Sequence, residues 1–222
     1  METKLTENQF EEFEKYEALS DQDVFTKIWT QPRKVFKFIN DTQYEKYFYI
    51  LLFFAGVVRA LDRASTKNTG DDSSLFFILF FGVVLGGAFG WISYFIYAAL
   101  TSWTGKWLDG AGNTTSIFRM MAYALLPSTL ALVFIIPQIA IFGVDVFRDV
   151  EYDTATAFGD IVFWISVFCE VVLSLTTLVF MVIGLSEVQK FSVWKAVLNL
   201  ILPICVIVVP FLLLAALFYA FS

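Results

Sequence analysis

The chain has 222 residues, of which 58% are hydrophobic and 16% charged, with a formal net charge of −6. A soluble domain of this length has too little interior to bury so much apolar side chain, so the composition excludes that class and predicts a membrane protein. The sequence has no histidine, and its two cysteines, Cys169 and Cys205, lie in apolar runs without metal-ligand spacing. We therefore expect no enzymatic activity, no cofactor, no metal site and no nucleic-acid partner.

The first 22 residues form an acidic segment. They hold seven acidic side chains against Lys4 and Lys15, which is the wrong charge for a secretory signal and predicts a cytoplasmic tail. The tail is either a mobile segment or a docking helix for a soluble partner. Ser20 followed by Asp23 is typical of a helix start and predicts where the tail ends.

Residues 23–42 interleave apolar and basic side chains. This composition is typical of an amphipathic segment that lies on an anionic membrane surface. Pro32 should divide the segment into two short helices. Thr42 and Glu45 are then expected to form a second capping box at the start of the first membrane span. The basic residues of this membrane-surface segment are Lys27, Arg33, Lys34 and Lys37.

Five apolar runs follow, each to be compared with the ~20 residues that a helix needs to cross a bilayer. None shows the alternation of a barrel strand. The sequence therefore predicts an all-α membrane protein, in which residues 43–222 form a bundle of five transmembrane helices behind an N-terminal amphipathic interfacial helix. The predicted spans are approximately 45–61, 75–103, 117–144, 161–185 and 194–221.

Lysine and arginine are unevenly distributed across the loops between these runs. With the N-terminus in the cytoplasm, eleven basic residues fall inside, and only Arg59, Arg63, Lys67 and Arg148 fall outside. The positive-inside rule therefore predicts a cytoplasmic N-terminus and an outward C-terminus.

The predicted outer loop, residues 145–160, holds five acidic residues against one arginine. Asp149, Glu151 and Asp153 could bind a divalent cation weakly, although no glycine provides the tight turn of a dedicated calcium loop. The alternative interpretation is a solvated acidic loop.

The second run contains three glycines spaced four residues apart, Gly82, Gly86 and Gly90. Glycines at this spacing share one face of a helix and let another backbone approach closely. We interpret them as a helix-packing face, used either within the chain or with a partner, which would be a second copy or another membrane protein.

Glu170 lies deep in the fourth run, where a carboxylate is expected to face other helices or a cavity. Ser166, Ser174 and Thr177 continue the same helical face. This intramembrane polar stripe is either a proton relay or the lining of a solute or lipid path, or it joins helices through hydrogen bonds of a protonated carboxyl. Pro127 and Pro137 in the third run, with two prolines in the fifth, favour kinked or broken helices.

Four local sequences lie in a fixed order among these runs. They are Ile28-Trp-Thr-Gln-Pro-Arg33, Trp103-Thr-Gly-Lys-Trp-Leu-Asp-Gly-Ala-Gly112, Ala122-Tyr-Ala-Leu-Leu-Pro127 and Gly184-Leu-Ser-Glu-Val-Gln-Lys-Phe-Ser-Val-Trp-Lys195. In these sequences the chain resembles the Yip family, polytopic membrane proteins named for interaction with Ypt/Rab GTPases, and specifically its bacterial branch. The resemblance covers about residue 24 to the C-terminus.

This resemblance implies five helices, a cytoplasmic N-terminus, an outward C-terminus and, in a bacterium, the inner membrane. Eukaryotic members act in Golgi and endoplasmic-reticulum traffic and bind Rab proteins. Their Asp-Leu-Tyr-Gly-Pro motif is absent from this sequence.

The sequence supports two functional hypotheses. In the first, the protein is a non-enzymatic organiser or scaffold of the membrane. The basic segment docks on anionic lipid, the glycine face mediates association and the acidic tail recruits a partner. In the alternative, it is a small transporter or lipid-translocating protein that uses Glu170 and the kinked third and fifth helices.

Overall fold

The computed structural model describes residues 19–149 and 157–221, and every regular element in those ranges is a helix. Two short helices come first, α1 (Asp21–Lys27) and α2 (Pro32–Asp41). The longer ones are α3 (Phe48–Thr66), α4 (Leu75–Lys106), α5 (Thr114–Ala124), α6 (Leu126–Phe142), α7 (Ala157–Gln189) and α8 (Val193–Phe221).

Four stretches of the described chain are long and apolar enough to cross a membrane: α4, the α5–α6 pair through Phe147, α7 and α8. Large apolar side chains on these helices remain exposed, among them Phe89, Phe168 and Phe211. Contiguous apolar surface of this kind requires a lipid solvent, so the protein is an integral multi-pass membrane protein.

The predicted spans coincide with helices, although their bounds shift. The first, 45–61, corresponds to α3, which begins later and continues to Thr66 with three charged residues near that end, so α3 is not among the four apolar stretches. The third is divided at Leu125, between α5 and α6. Pro127 stands in the first turn of α6, where a missing backbone N–H breaks no helical hydrogen bond.

The start of α1 follows the sequence signal. The Asp23 amide donates to Ser20 Oγ at 3.2 Å, and the Ser20 amide donates to Asp23 Oδ2 at 3.1 Å. This capping box confirms the predicted helix start, and the division of the segment before Pro32 is also confirmed.

The second predicted capping box is wrong. The Thr42 hydroxyl donates to the Phe38 carbonyl at 2.7 Å, so Thr42 ends α2 and does not begin α3. Glu45 turns to Arg119 instead, and α3 begins at Phe48 without a side-chain cap. A threonine hydroxyl can donate a hydrogen bond to a carbonyl oxygen in the preceding helical turn. The spacing of Thr42 and Glu45 alone does not show which partner the hydroxyl takes.

The apolar faces of α1 and α2 are buried in the main core. Val24, Ile28, Val35 and Phe36 are fully buried. The Phe36 ring lies 6.1 Å from that of Phe180, on α7. The apolar side of this segment therefore packs on protein, while its location at a membrane surface stays a prediction.

The loops fall at two ends of the bundle. At the first, which we call the α1–α2 end, the loop after α4 meets the end of α7, with Gly112 N donating to Gln189 Oε1 at 2.8 Å. At the second, which we call the far end, Arg148 Nε donates to the Gly70 carbonyl at 2.9 Å and Ser65 Oγ donates to the Val146 carbonyl at 3.0 Å.

A buried amide network holds the α1–α2 end together. Gln189 and Asn199 are 1% and 0% exposed, and Gln189 Nε2 donates to Asn199 Oδ1 at 3.0 Å. Asn199 Nδ2 donates in turn to Thr104 Oγ1 at 2.9 Å and to the Thr101 carbonyl at 3.1 Å. Because these buried amide groups are hydrogen-bonded to one another and to α4, the network fixes the positions of α4, α7 and α8 relative to one another.

Candidate functional site

A polar cavity of about 290 Å³ lies between α3, α6 and α7. Its polar lining comprises Asp62, Ser65, Ser128, Gln138, Glu170 and Ser174. Asp62 and Ser174 are also exposed at the protein surface, so the cavity opens to one side. Two carboxyl groups, an amide and hydroxyls in one cavity can bind water, a cation or another polar solute.

Glu170 is held in this cavity by a neighbouring helix. Gln138 Nε2 donates to Glu170 Oε1 at 2.7 Å. Gln138 is only 8% exposed, and Glu170 is half-buried. The bond joins α6 to α7 and gives the intramembrane carboxyl a neutral donor.

The four residues of the predicted polar stripe lie in three different environments. Glu170 and Ser174 line the cavity. Ser166 is buried, with its hydroxyl 3.5 Å from the Phe134 carbonyl on α6, and lies outside the cavity lining. Thr177 donates to a carbonyl of its own helix at 2.9 Å. The structure therefore brings two of the four predicted residues into one site.

Sequence reasoning did not identify Asp62 and Gln138 as members of this site. The predicted first span ended at residue 61, whereas α3 continues one further turn and carries Asp62 into the cavity wall. Gln138 is the sole amide side chain of the predicted third run, and that isolation was the signal available for it.

The three predicted glycines lie against α3. A Cβ added to Gly82 would lie 2.9 Å from Leu61 Cδ2, and one added to Gly86 would lie 3.0 Å from the Gly56 carbonyl oxygen. A Cβ on Gly90 would collide with the Gly56 backbone. Gly56, which the sequence reasoning did not single out, is therefore the counterpart of the glycine face, and the contact lies within the chain.

The four basic residues of the N-terminal segment lie on the outer side of α1 and α2. Lys27 Nζ forms an ion pair with Asp23 at 2.8 Å, and Arg33 Nε lies 3.9 Å from Glu187 Oε1. Arg33, Lys34 and Lys37 are exposed. Because the opposite face is buried, these three charges occupy fixed positions on the bundle.

Asp21 attaches α1 to the turn before α3. Its carboxylate forms an ion pair with Lys46 and accepts a hydrogen bond from the Tyr44 hydroxyl at 2.6 Å. The Lys46 ammonium, followed by the Tyr44 hydroxyl, lowers the pKa of Asp21 below its ordinary value. The Lys27 ammonium, followed by the Ser20 hydroxyl, lowers the pKa of Asp23 to about 2.

Residues 1–18 of the acidic tail and residues 150–156 of the acidic loop, including Glu151 and Asp153, fall outside the described residues. Within residues 19–149 and 157–221, no group of three histidine, cysteine, aspartate or glutamate side chains is placed to hold a metal ion.

Apolar spans, a polar intramembrane cavity and a packed N-terminal segment define a multi-pass membrane protein. Comparison with protein families matches residues 26–216 to the Yip1 domain. The chain belongs to the Yip1 domain family, which confirms the resemblance carried by the four local sequences. No curated protein and no solved structure gave a significant match.

Proposed function

We propose that this Yip1-domain protein is a non-enzymatic organiser of the membrane, which gathers anionic lipid around a fixed basic platform and recruits a partner through its acidic tail. The platform is the exposed basic surface of Arg33, Lys34 and Lys37 on α2. The observation that carries the proposal is that the apolar side of α1 and α2 is locked into the core while these charges point outward.

The proposal places five helices across the membrane, with α3 as the fifth. At about 1.5 Å per residue, the 19 residues of α3 rise roughly 28 Å, close to the ~30 Å hydrocarbon thickness. One end of α3 lies beside α1, where Tyr44 meets Asp21, and the other lies at the far end, where Ser65 meets Val146. Contacts at both ends of the bundle support a helix that crosses it.

In this arrangement the α1–α2 end faces the cytoplasm, which is the inner-membrane topology if the source is bacterial. Besides the platform, Lys106, Lys190 and Lys195 belong to the loops and helix ends at this end. Each lysine or arginine near an anionic leaflet attracts it by roughly 1 kcal/mol. The glycine face acts within the chain, so association with a partner relies on other surfaces.

Lipid demixing tests the platform. Full-length protein reconstituted into vesicles containing self-quenching fluorescent phosphatidylglycerol should lower the fluorescence, because the labelled lipid collects around the protein. The pair Lys34→Gln and Lys37→Gln should reduce that local enrichment by roughly 25-fold at low salt. Added salt should weaken the wild-type effect, because these charges are solvent-exposed.

The matched control removes two exposed charges at the far end, Arg63→Gln with Lys67→Gln, and should retain the wild-type quenching in vesicles that carry the labelled phosphatidylglycerol only in the leaflet at the α1–α2 end. Equal quenching by the wild type and the Lys34/Lys37 variant would remove the platform from the function.

The cavity around Glu170 is the observation behind a second candidate function, a small transporter or lipid-translocating protein. Asp62 supplies a second carboxyl to the same cavity. Glu170→Gln retains an acceptor for Gln138 and should preserve folding. A flux across vesicles that disappears in this variant would favour transport, and a protein that carries no flux in either form would favour the organiser.

A further inference from the structure

A groove of about 550 Å³ runs between α3, α4 and α5, on a different surface from the platform. Its walls are aromatic: Phe48, Tyr49, Phe53, Trp91, Phe95 and Phe118. The Phe118 ring packs edge-on against two others, with its centroid 5.1 Å from that of Phe48 and 5.4 Å from that of Phe95. The size is that of a ligand pocket, commonly roughly 300–1,000 Å³.

A second cavity, of about 320 Å³, adjoins this groove at the α1–α2 end. Most of its side chains are polar or basic, among them Asn40, Asn113, Ser116 and Lys190. Thr115 and Arg119 line both spaces. An apolar groove inside the bundle and a polar chamber at its end therefore meet at one arginine, an arrangement that matches the amphipathic shape of a phospholipid.

Arg119 is held in place at this junction. It is 6% exposed, and its Nε and Nη2 donate to the same Glu45 oxygen at 3.0 and 2.5 Å. Its Nη1 donates no hydrogen bond to any residue within the described ranges. The guanidinium is thus preorganised, with donors left over for an anionic group.

The charges that line the two spaces leave an excess positive charge. Glu45 offsets Arg119, and Lys190 remains on the polar side with its side chain exposed. An anionic headgroup is therefore matched by Lys190 and by the remaining donors of Arg119, whereas a zwitterionic headgroup brings its own cation into a site that already holds an excess positive charge.

We propose that this junction binds one anionic phospholipid of the leaflet at the α1–α2 end. The phosphate and headgroup occupy the polar chamber at Lys190 and Arg119, and an acyl chain lies in the aromatic groove. The site goes beyond the proposed organiser function and does not depend on it, because it uses none of the platform lysines.

Native mass spectrometry of the full-length protein in detergent tests the site. The delipidated protein is mixed with palmitoyl-oleoyl phosphatidylglycerol or with phosphatidylcholine of the same chains. We expect one phosphatidylglycerol per protein, held about fivefold more strongly than phosphatidylcholine. Thr115→Phe should place a ring where the two spaces meet and lower occupancy by both lipids at least several-fold, whereas Thr114→Phe on the neighbouring position should bind as the wild type does.

A charge reversal tests the headgroup separately. Lys190→Glu should abolish the preference for phosphatidylglycerol and retain phosphatidylcholine, while Lys106→Glu, outside both spaces, should change neither. Equal occupancy in the wild type and Thr115→Phe, or equal binding of both lipids by the wild type, would overturn the site. The Lys34/Lys37 variant should bind the single lipid normally, so failure of the platform and failure of this site are distinguishable.

Discussion

Gly56 is the single residue on which the contact between α3 and α4 most depends. A Cβ on Gly56 would collide with the Gly86 carbonyl oxygen and lie 3.1 Å from Gly90 Cα, and backbone atoms at that contact have no rotamer by which to withdraw. Small residues that let two backbones approach are a common basis of helix association in lipid. The close packing of α3 on α4 therefore requires glycine on both helices.

Gly56→Ala should destabilise the protein. Overpacking costs about 1–3 kcal/mol, which exceeds the roughly 1 kcal/mol that alanine gains over glycine in a helix. Thermal unfolding in detergent should show a lower midpoint. The control Val84→Leu also adds volume to a membrane-spanning helix but lies on an exposed face, and should leave the midpoint unchanged. An unchanged midpoint in Gly56→Ala would contradict the close contact.

Individual residues also mark how far the sequence could predict the site. The spacing of the glycines and of the Glu170 stripe identifies helix faces, because periodicity is local. It cannot identify what a face meets. Gly56, Asp62 and Gln138 became part of the contacts only when helices distant in the chain packed together.

Helices α1 and α2 are attached to the bundle both by buried apolar side chains and by an ion pair. Their apolar sides join the main core, where α2 packs on α5 and α7, while Asp21 is held by Lys46 and Tyr44 at the entry to α3. The amphipathic pattern predicted two helices but could not distinguish a protein surface from a lipid surface, since both bury the same apolar face. Three-dimensional packing supplies that distinction.

Acid should loosen α1. The folded pKa of Asp21 is lowered and that of Asp23 is about 2, whereas an unfolded aspartate titrates near ~3.9. The stabilisation that these two carboxylates give the folded state is therefore fully present above about pH 3.9, and it is lost as the pH falls through their folded pKa values. A spin label at Thr26→Cys, with both native cysteines changed to serine, should become more mobile between about pH 4 and pH 2.

Two controls accompany that measurement. A label at Lys37→Cys on α2 should respond less, because the ion pairs that Asp21 and Asp23 form within the described residues are with Lys46, before α3, and with Lys27, on α1. The pair Asp21→Asn and Asp23→Asn should be mobile at neutral pH and insensitive to acid. A label at Thr26→Cys that stays immobile at pH 2 would show that apolar packing alone holds α1.

At the scale of the whole molecule, the topology depends on α3. Composition identifies four spans readily, because α4, α5–α6, α7 and α8 are long and apolar. It leaves α3 ambiguous, since Arg59, Asp62 and Arg63 lie within its last eight residues. The number of spans decides whether the termini lie on the same side, so one short helix determines where both the platform and the C-terminus are.

Reporter fusions should determine the number of spans. The reporters are an alkaline phosphatase that is active only outside the cytoplasm and a fluorescent protein that folds only in the cytoplasm. With five spans, phosphatase joined at residue 70 or at the C-terminus should be active, and fluorescent protein joined at residue 110 should be bright. With four spans, α3 would not cross, so residue 70 would lie on the same side as the N-terminus and opposite residue 110, because α4 separates residues 70 and 110 in either case. The contacts at opposite ends of α3, Tyr44 with Asp21 and Ser65 with Val146, argue against that arrangement. A fluorescent protein joined at the N-terminus should also be bright. Reporters that place the N-terminus and residue 70 on the same side would refute the five-span count, and a dark fluorescent protein at the N-terminus would refute the inward position of the platform.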